Sequence, residues 1–513
     1  MPWGLVCAEL VLCAWILLLL VADVLPQRLR DASPAIAPRP LAGGGKVVQQ
    51  LMGGRDVAPL GTDVRVSQAM PVGLHWQLAL VGLLVAGGCL IAQTPGWDGR
   101  TFQSLLVGDQ FAAYFKGLFL LTAVVVVFMM RLYQRHLPDS PGAFYMLLYT
   151  AVLGCLVLAS VNDLLMLFIG LELLTFSLYI MAAYLKTDAR SIEAGMKYLI
   201  LGSVSSGFLV YGIALLYGAT GTTRFPEIAA AFASAPVSAT ALAGCVLVLA
   251  GLGFKIAAVP FHLWLPDVYE GAPTPVVAFL SVGSKMAGVV ALMRLLTGPL
   301  APLEPLWGDL LAALSAATML YGNLGAIAQT NIKRLLGYSS IGHAGYLLLG
   351  LSTATAMGLE GVSYYLLAYL FSTLAVFLVV VAATDAVGGE SLEHYNGLSR
   401  RAPLLAAGLF VGLLSLAGVP PLAGFAGKLL VLLAGAERGR LWLVAVGAVN
   451  VAISLYYYLL VVKRMYLDKP SRPEAFQTDG VTRLVLISLL AGILAIGIVQ
   501  APFLSRITLA FHP

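Results

Sequence analysis

Apolar segments of about 20 residues, each long enough to cross the hydrocarbon core of a bilayer, follow one another along nearly the whole chain. We read fourteen, over approximately 3–25, 76–93, 109–130, 142–160, 164–184, 194–218, 238–258, 274–296, 309–329, 335–351, 361–384, 403–434, 441–465 and 481–500. Hydrocarbon offers the backbone no hydrogen-bond partner, so each segment must satisfy its own amide groups as a helix. The expected fold is an all-α polytopic membrane protein with about 14 transmembrane helices. Composition agrees, with 60% of residues hydrophobic and only 11% charged, where a soluble chain carries roughly 25% charged residues. Segment 3–25 lacks the basic start and the A-x-A site of a signal peptide and reads as a retained span.

The net charge of +5 matters for its placement and gives no sign of a nucleic-acid partner. With the N-terminus outside, segments 26–75, 131–141, 185–193, 259–273, 330–334, 385–402 and 463–480 hold 18 Lys and Arg. The opposite side holds five (Arg100, Arg224, Arg438, Arg440, Arg506), and seven lie within spans. Cytoplasmic loops carry the excess of basic residues, so both termini are expected on the outer, periplasmic side of a cell inner membrane.

Residues 27–75, rich in Pro, Gly and Arg, read as a flexible or partly ordered cytoplasmic loop. Their Gly43-Gly44-Gly45-Lys46 run has Val47 where a phosphate loop needs Ser or Thr and Pro40 where its first glycine belongs, so nucleotide binding is not expected. Five isolated cysteines (Cys7, Cys13, Cys89, Cys155, Cys245) and six histidines without ligand spacing give no metal or iron–sulfur motif.

Two spans are interrupted. The seventh breaks at Lys255-Ile256-Ala257-Ala258-Val259-Pro260, and the twelfth carries Gly418-Val419-Pro420-Pro421-Leu422-Ala423-Gly424, which no continuous helix would choose. The chain then divides into a first helix (1–26), the loop (27–75), helices two and three (76–141), one unit of five helices (142–296), a second (309–465) and a last helix (481–500). Each unit ends in a broken helix followed by one more span. Five spans is an odd number, so the units sit as inverted repeats, the layout of many secondary transporters.

A charge at membrane depth is costly and is kept for ion or proton movement. Glu172, Lys255, Lys285 and Lys428 are such charges. Burial favours the neutral form of a lysine or a carboxyl and an opposite charge favours the ionised one, so small movements switch them. Lys197, four residues into the sixth span, is either a further member or a side chain that reaches the interface along its stem. Arg294, near the outer end of its span, is expected to reach the interface in that way. His262, beside the break, and His343 are candidate relay groups because imidazole titrates near neutral pH; a hydrogen bond between helices is the alternative for each.

The run from Gly253 to Val276, with Lys255, Pro260-Phe261-His262-Leu263-Trp264 and Asp267-Val268-Tyr269-Glu270-Gly271, resembles the N-type membrane subunit of bacterial respiratory complex I, the proton-translocating NADH–quinone oxidoreductase. Gln329 to Ile341 and Gly424-Phe425-Ala426-Gly427-Lys428 are similar in the same way, and the similarity covers residues 76–500. The resemblance implies an antiporter-like subunit with two inverted five-helix repeats and two broken helices. It implies that Glu172 and Lys255 form a first half-channel site, that Lys285 is a central relay and that Lys428 belongs to a second half-channel. Glu193-Ala194-Gly195-Met196-Lys197-Tyr198 also matches, which adds weight to Lys197. Only thirteen residues follow the last span, without the long lateral helix of the L type, and Lys428 stands where the M type usually has glutamate. The 27–75 loop departs from the family pattern.

The implied function is proton translocation by a membrane-arm subunit, alongside other membrane-arm subunits. NADH, quinone, FMN and Fe–S clusters would be handled elsewhere in the complex. A cation/proton antiporter or membrane-bound hydrogenase subunit of the same fold is the alternative reading. A scaffold without pumping is the third, and retention of the four core charges argues against it.

Overall fold

In a computed structural model the described residues are 2–31, 74–93, 99–137, 141–234, 236–470 and 474–511. Most of the 27–75 loop, with its glycine run, lies outside them. Twelve helices among the described residues are long and apolar enough to cross a membrane. Helix Ile332–Ser352 and the two halves Pro403–Ala417 and Ala423–Glu437 stand beside them, and an 11-residue helix, Ala501–Phe511, follows the last apolar one.

Asp and Asn start several helices by capping free amides. Asp163 accepts from Leu165 at 2.7 Å, and Asn331 from Lys333 at 2.8 Å and Arg334 at 3.2 Å. Glycines let the helices approach closely. A Cβ at Gly322 would lie 2.3 Å from the Gly342 amide, and one at Gly212 would lie 2.8 Å from the Gly244 carbonyl.

The burial pattern places the polar groups. Helix Thr274–Thr297 is enclosed along its length. Helix Ile332–Ser352 is buried except at Arg334 and Tyr338 and carries Lys333, Ser339, Ser340 and His343. A helix enclosed on every side needs no lipid-compatible surface, so this one is less apolar than its neighbours and still sits in the core.

Both interruptions appear as expected. The first half-helix, Ala239–Ile256, ends at Ala257 in the left-handed conformation (φ 57°), and helix Leu265–Gly271 resumes beyond the break. The second break follows Gly418 (φ 88°). Arg294 differs from the expectation that it reaches for the interface. Its guanidinium grips Asp109 at 2.6 and 2.7 Å and the Ala159 carbonyl at 2.8 Å, because three helix ends converge there with an acceptor in reach.

Candidate functional site

At the first break Lys255 occupies the last turn of its half-helix, where the partial negative charge of the helix end favours a cation. It is 5% exposed, and its Nζ donates to Thr175 Oγ1 at 2.9 Å. One turn before Thr175, Glu172 accepts from Ser206 Oγ at 2.5 Å. Glu172 and Lys255 line one cavity with Tyr179, Gly202, Ser205 and Phe254, but no ion pair joins them. Glu172 is half-buried and faces the side of the bundle, beside exposed Ser203 and Gly207.

Lys285 directly follows a single π turn, Leu280–Ser284, a distortion that often marks functional positions. Its Nζ donates to both the carbonyl and the hydroxyl of Ser340. Ser340 Oγ lies 3.0 Å from the Tyr369 hydroxyl and 3.3 Å from that of Tyr269, and Ser281 reaches Tyr369 at 3.3 Å. Tyr198, stacked 6.3 Å from Phe254 beside Lys255, and Ser284, next to Lys285, bring two more buried hydroxyls to the region of the first two lysines.

His343 carries the string onward. Its ring is 5.0 Å from that of Tyr369, its Nδ1 is 2.6 Å from the Tyr365 hydroxyl and its Nε2 is 3.3 Å from that of Tyr458. His343, Tyr365, Tyr369, Ser372 and Lys428 line a second cavity. Lys428 Nζ donates to the Ala417 carbonyl at 2.9 Å and to Ser454 at 3.4 Å. Ala417 is the last residue before the break, so Lys428 rests on the carbonyl end of the preceding half-helix, whereas Lys255 sits in the last turn of its own.

Two expected members stand apart. His262 is buried against Tyr321, ring centres 4.0 Å apart, and neither ring nitrogen has a hydrogen-bond partner. Lys197 is half-exposed and pairs with Asp267 at 2.7 Å and Glu193 at 2.8 Å. Arg334 joins the same cluster through Asp267 at 2.7 Å and Glu270 at 2.8 Å. Burial alone would raise the Asp267 carboxyl, but hydrogen bonds from Lys197 and Arg334 outweigh it and hold the group below its usual value.

Sequence reasoning missed the hydroxyls around Lys285 and His343. Ser340 was visible beside His343, and Tyr365 and Tyr369 stand one turn apart on a helix that also carries Ser372 and Thr373. It also missed a buried ion pair, Glu9 to Lys116 at 2.6 Å. Its signal was one charge well inside each of two spans, Glu9 in 3–25 and Lys116 in 109–130, whose other charges, Asp23 and Asp109, lie at the span ends.

This bundle, with two helix breaks and lysines enclosed at membrane depth, defines an antiporter-like membrane subunit. Residues 161–454 match the family described as NADH:quinone oxidoreductase/Mrp antiporter, TM. The fold is similar to that of a chain in the Mrp complex from Dietzia, with a TM-score of 0.82, 20% identity, and 99% of this chain and 97% of that one covered. A chain of respiratory complex I from Thermus thermophilus gives a TM-score of 0.72 at 34% identity, covering 84% of this chain and 93% of its own. NADH-quinone oxidoreductase subunit N of Heliobacterium modesticaldum is 43% identical over 417 residues, 81% of this chain and 88% of that protein. The chain belongs to the NADH-quinone oxidoreductase subunit N family.

Proposed function

We propose that the chain is a membrane-arm subunit that moves protons across the bilayer while other subunits pass electrons from NADH to quinone. The observation that carries the reading is the buried polar string between the two helix breaks. Lys285, Ser340 and Tyr369 are joined by hydrogen bonds, His343 packs on Tyr369, and Lys428 shares a cavity with both rings. Hydroxyl and imidazole groups both donate and accept, so they hand a proton on with small reorientations. In this reading Glu172 and Lys255 load the string, Lys285 is its centre and Lys428 opens the second half-channel. Lys197, with Asp267 and Arg334, stands at its entrance. His262 joins only if the break around it moves, because its ring has no hydrogen-bond partner here.

Fourteen spans complete this arrangement: the twelve apolar helices, Ile332–Ser352, and the broken pair Pro403–Ala417 with Ala423–Glu437. Residues 142–296 and 309–465 are its inverted units. A neighbouring membrane-arm subunit covers the face of Ile169, Ser203, Val204 and Gly207, because half-buried Glu172 on that face would be costly against lipid. Relatives named subunit N at above 40% identity favour the oxidoreductase over an antiporter. Redox cofactors belong to other subunits in this reading.

Lys285→Ala tests it. The complex is expected to assemble, since the lysine sits on one serine, while quinone-dependent proton uptake by membrane vesicles falls by roughly tenfold or more. Normal uptake by an assembled Lys285→Ala complex overturns the reading.

A further inference from the structure

A crevice of about 1150 Å³ opens on the side of the bundle between helix Cys7–Asp31 and helices Pro141–Ala159, Leu164–Ala182 and Ala189–Thr220. Its walls are apolar, among them Ile16, Leu20, Met146, Leu147 and Met196, and Lys186 lines it too. Lys186 is exposed and has no ion pair among the described residues. The walls come from the first turns of Pro141–Ala159, the last turns of Leu164–Ala182 and the first turns of Ala189–Thr220. The crevice therefore lies in one leaflet, on the side of the bundle with most of the lysines and arginines.

Tyr179 links this crevice to the proton site. Its ring lines both the crevice and the cavity of Glu172 and Lys255. Its hydroxyl is buried without a partner and rests on Gly202, where any Cβ would come within 1.7 Å of it. One aromatic ring thus separates a lipid-facing hollow from a titratable cavity.

We propose that the crevice binds an acyl chain of an anionic phospholipid of the cytoplasmic leaflet, with Lys186 at the headgroup, and that this chain holds Tyr179 in place as the seal. The walls are apolar over the depth of an acyl chain, so burying methylenes there is favourable. The cytoplasmic leaflet carries the anionic lipids that attract basic side chains near a membrane surface. A partner's transmembrane helix fits less well, because a spanning helix runs through both leaflets while the hollow occupies one. The lipid site stands without the proposed function; the sealing role rests on it.

The test uses the assembly purified through a tag on this chain, with whatever subunits accompany it, in nanodiscs. Phosphatidylglycerol or phosphatidylcholine carrying a diazirine on one acyl chain is photolysed, and adducts are mapped by mass spectrometry. Adducts at Met146 and Met196 are expected, about fivefold more with phosphatidylglycerol, the weight of one basic side chain at an anionic surface. Lys186→Glu, an exposed substitution that leaves the core intact, is expected to remove that preference. Equal labelling by the two lipids, indifference to Lys186→Glu, or no adduct at these residues because protein fills the hollow would each overturn the site. With turnover inhibited, Lys186→Glu vesicles are expected to leak protons about twice as fast. An unchanged leak together with the adducts removes the sealing role and leaves the lipid site.

Discussion

Among the described residues five lysines are buried at 5% exposure or less, and their partners divide them into two kinds. Lys116 pairs with Glu9 at 2.6 Å and Lys333 with Glu390 at 2.7 Å. Lys255, Lys285 and Lys428 donate to hydroxyls and carbonyls and have no carboxylate in ion-pair reach among the described residues. A carboxylate partner fixes a buried lysine as one half of an ion pair, whereas hydroxyl and carbonyl partners let its head group change hydrogen bonds with small movements. Depth in the sequence identified the three unpaired lysines, but no spacing rule reveals whether a distant helix supplies a carboxylate, so Lys116 was passed over. The same limit applies to Glu172 and Lys255, which share a cavity without touching. We predict that Glu172→Gln and Lys255→Met each lower quinone-dependent proton uptake by roughly tenfold and that the double variant is no worse than the worse single. Glu172→Asp, which keeps the charge, should retain much of the activity. Fully additive losses in that cycle would mean the two groups act independently.

At the scale of elements, the breaks were legible because proline and glycine interrupt helices by fixed backbone chemistry. What stabilises the breaks was not legible. In the second, Ser415 Oγ bonds Ser372 at 2.7 Å and accepts from the Gly424 amide at 3.1 Å, and a Cβ on Gly424 would fall 1.8 Å from the Ser415 carbonyl. Gly424→Ala is expected to displace the half-helix that carries Lys428 and to destabilise the subunit by about 1–3 kcal/mol, the usual overpacking penalty. Gly117→Ala, with nothing near its Cβ, should be neutral or slightly stabilising, since alanine is the better helix former. Thermal melts of the purified assembly distinguish the two. The Glu9–Lys116 pair anchors the first helix to helix Gln110–Tyr133. Lys116→Met strands a buried carboxylate and should cost about 3–5 kcal/mol, while adding Glu9→Gln should recover much of the loss. A double variant as unstable as the single would assign the anchoring to packing instead.

Across the whole molecule, the distribution of charge does not depend on how apolar each single helix is. Helix Ile332–Ser352 falls outside the twelve apolar helices, and the twelfth span of the sequence is two short helices, yet the basic residues still gather at one end. That end holds the Lys197–Asp267–Arg334 cluster and Arg131 with Asp479. The other holds Arg438 with Glu304, Arg440 with Asp309, and Arg294 with Asp109. Polytopic proteins keep their basic end in the cytoplasm, so we predict that the two ends face different compartments, the first inward. Lys469 and Glu437, both exposed, mark the two ends. In intact cells a membrane-impermeant thiol reagent should label Glu437→Cys, and it should label Lys469→Cys only after the membrane is opened, each compared with the unsubstituted chain because Cys13 is exposed. The positions are separated by the single helix Leu441–Tyr466, so labelling of both from one side would remove that helix from the membrane and one span from the second repeat. Labelling in the reversed order would keep every span and invert the direction of the proposed proton transfer.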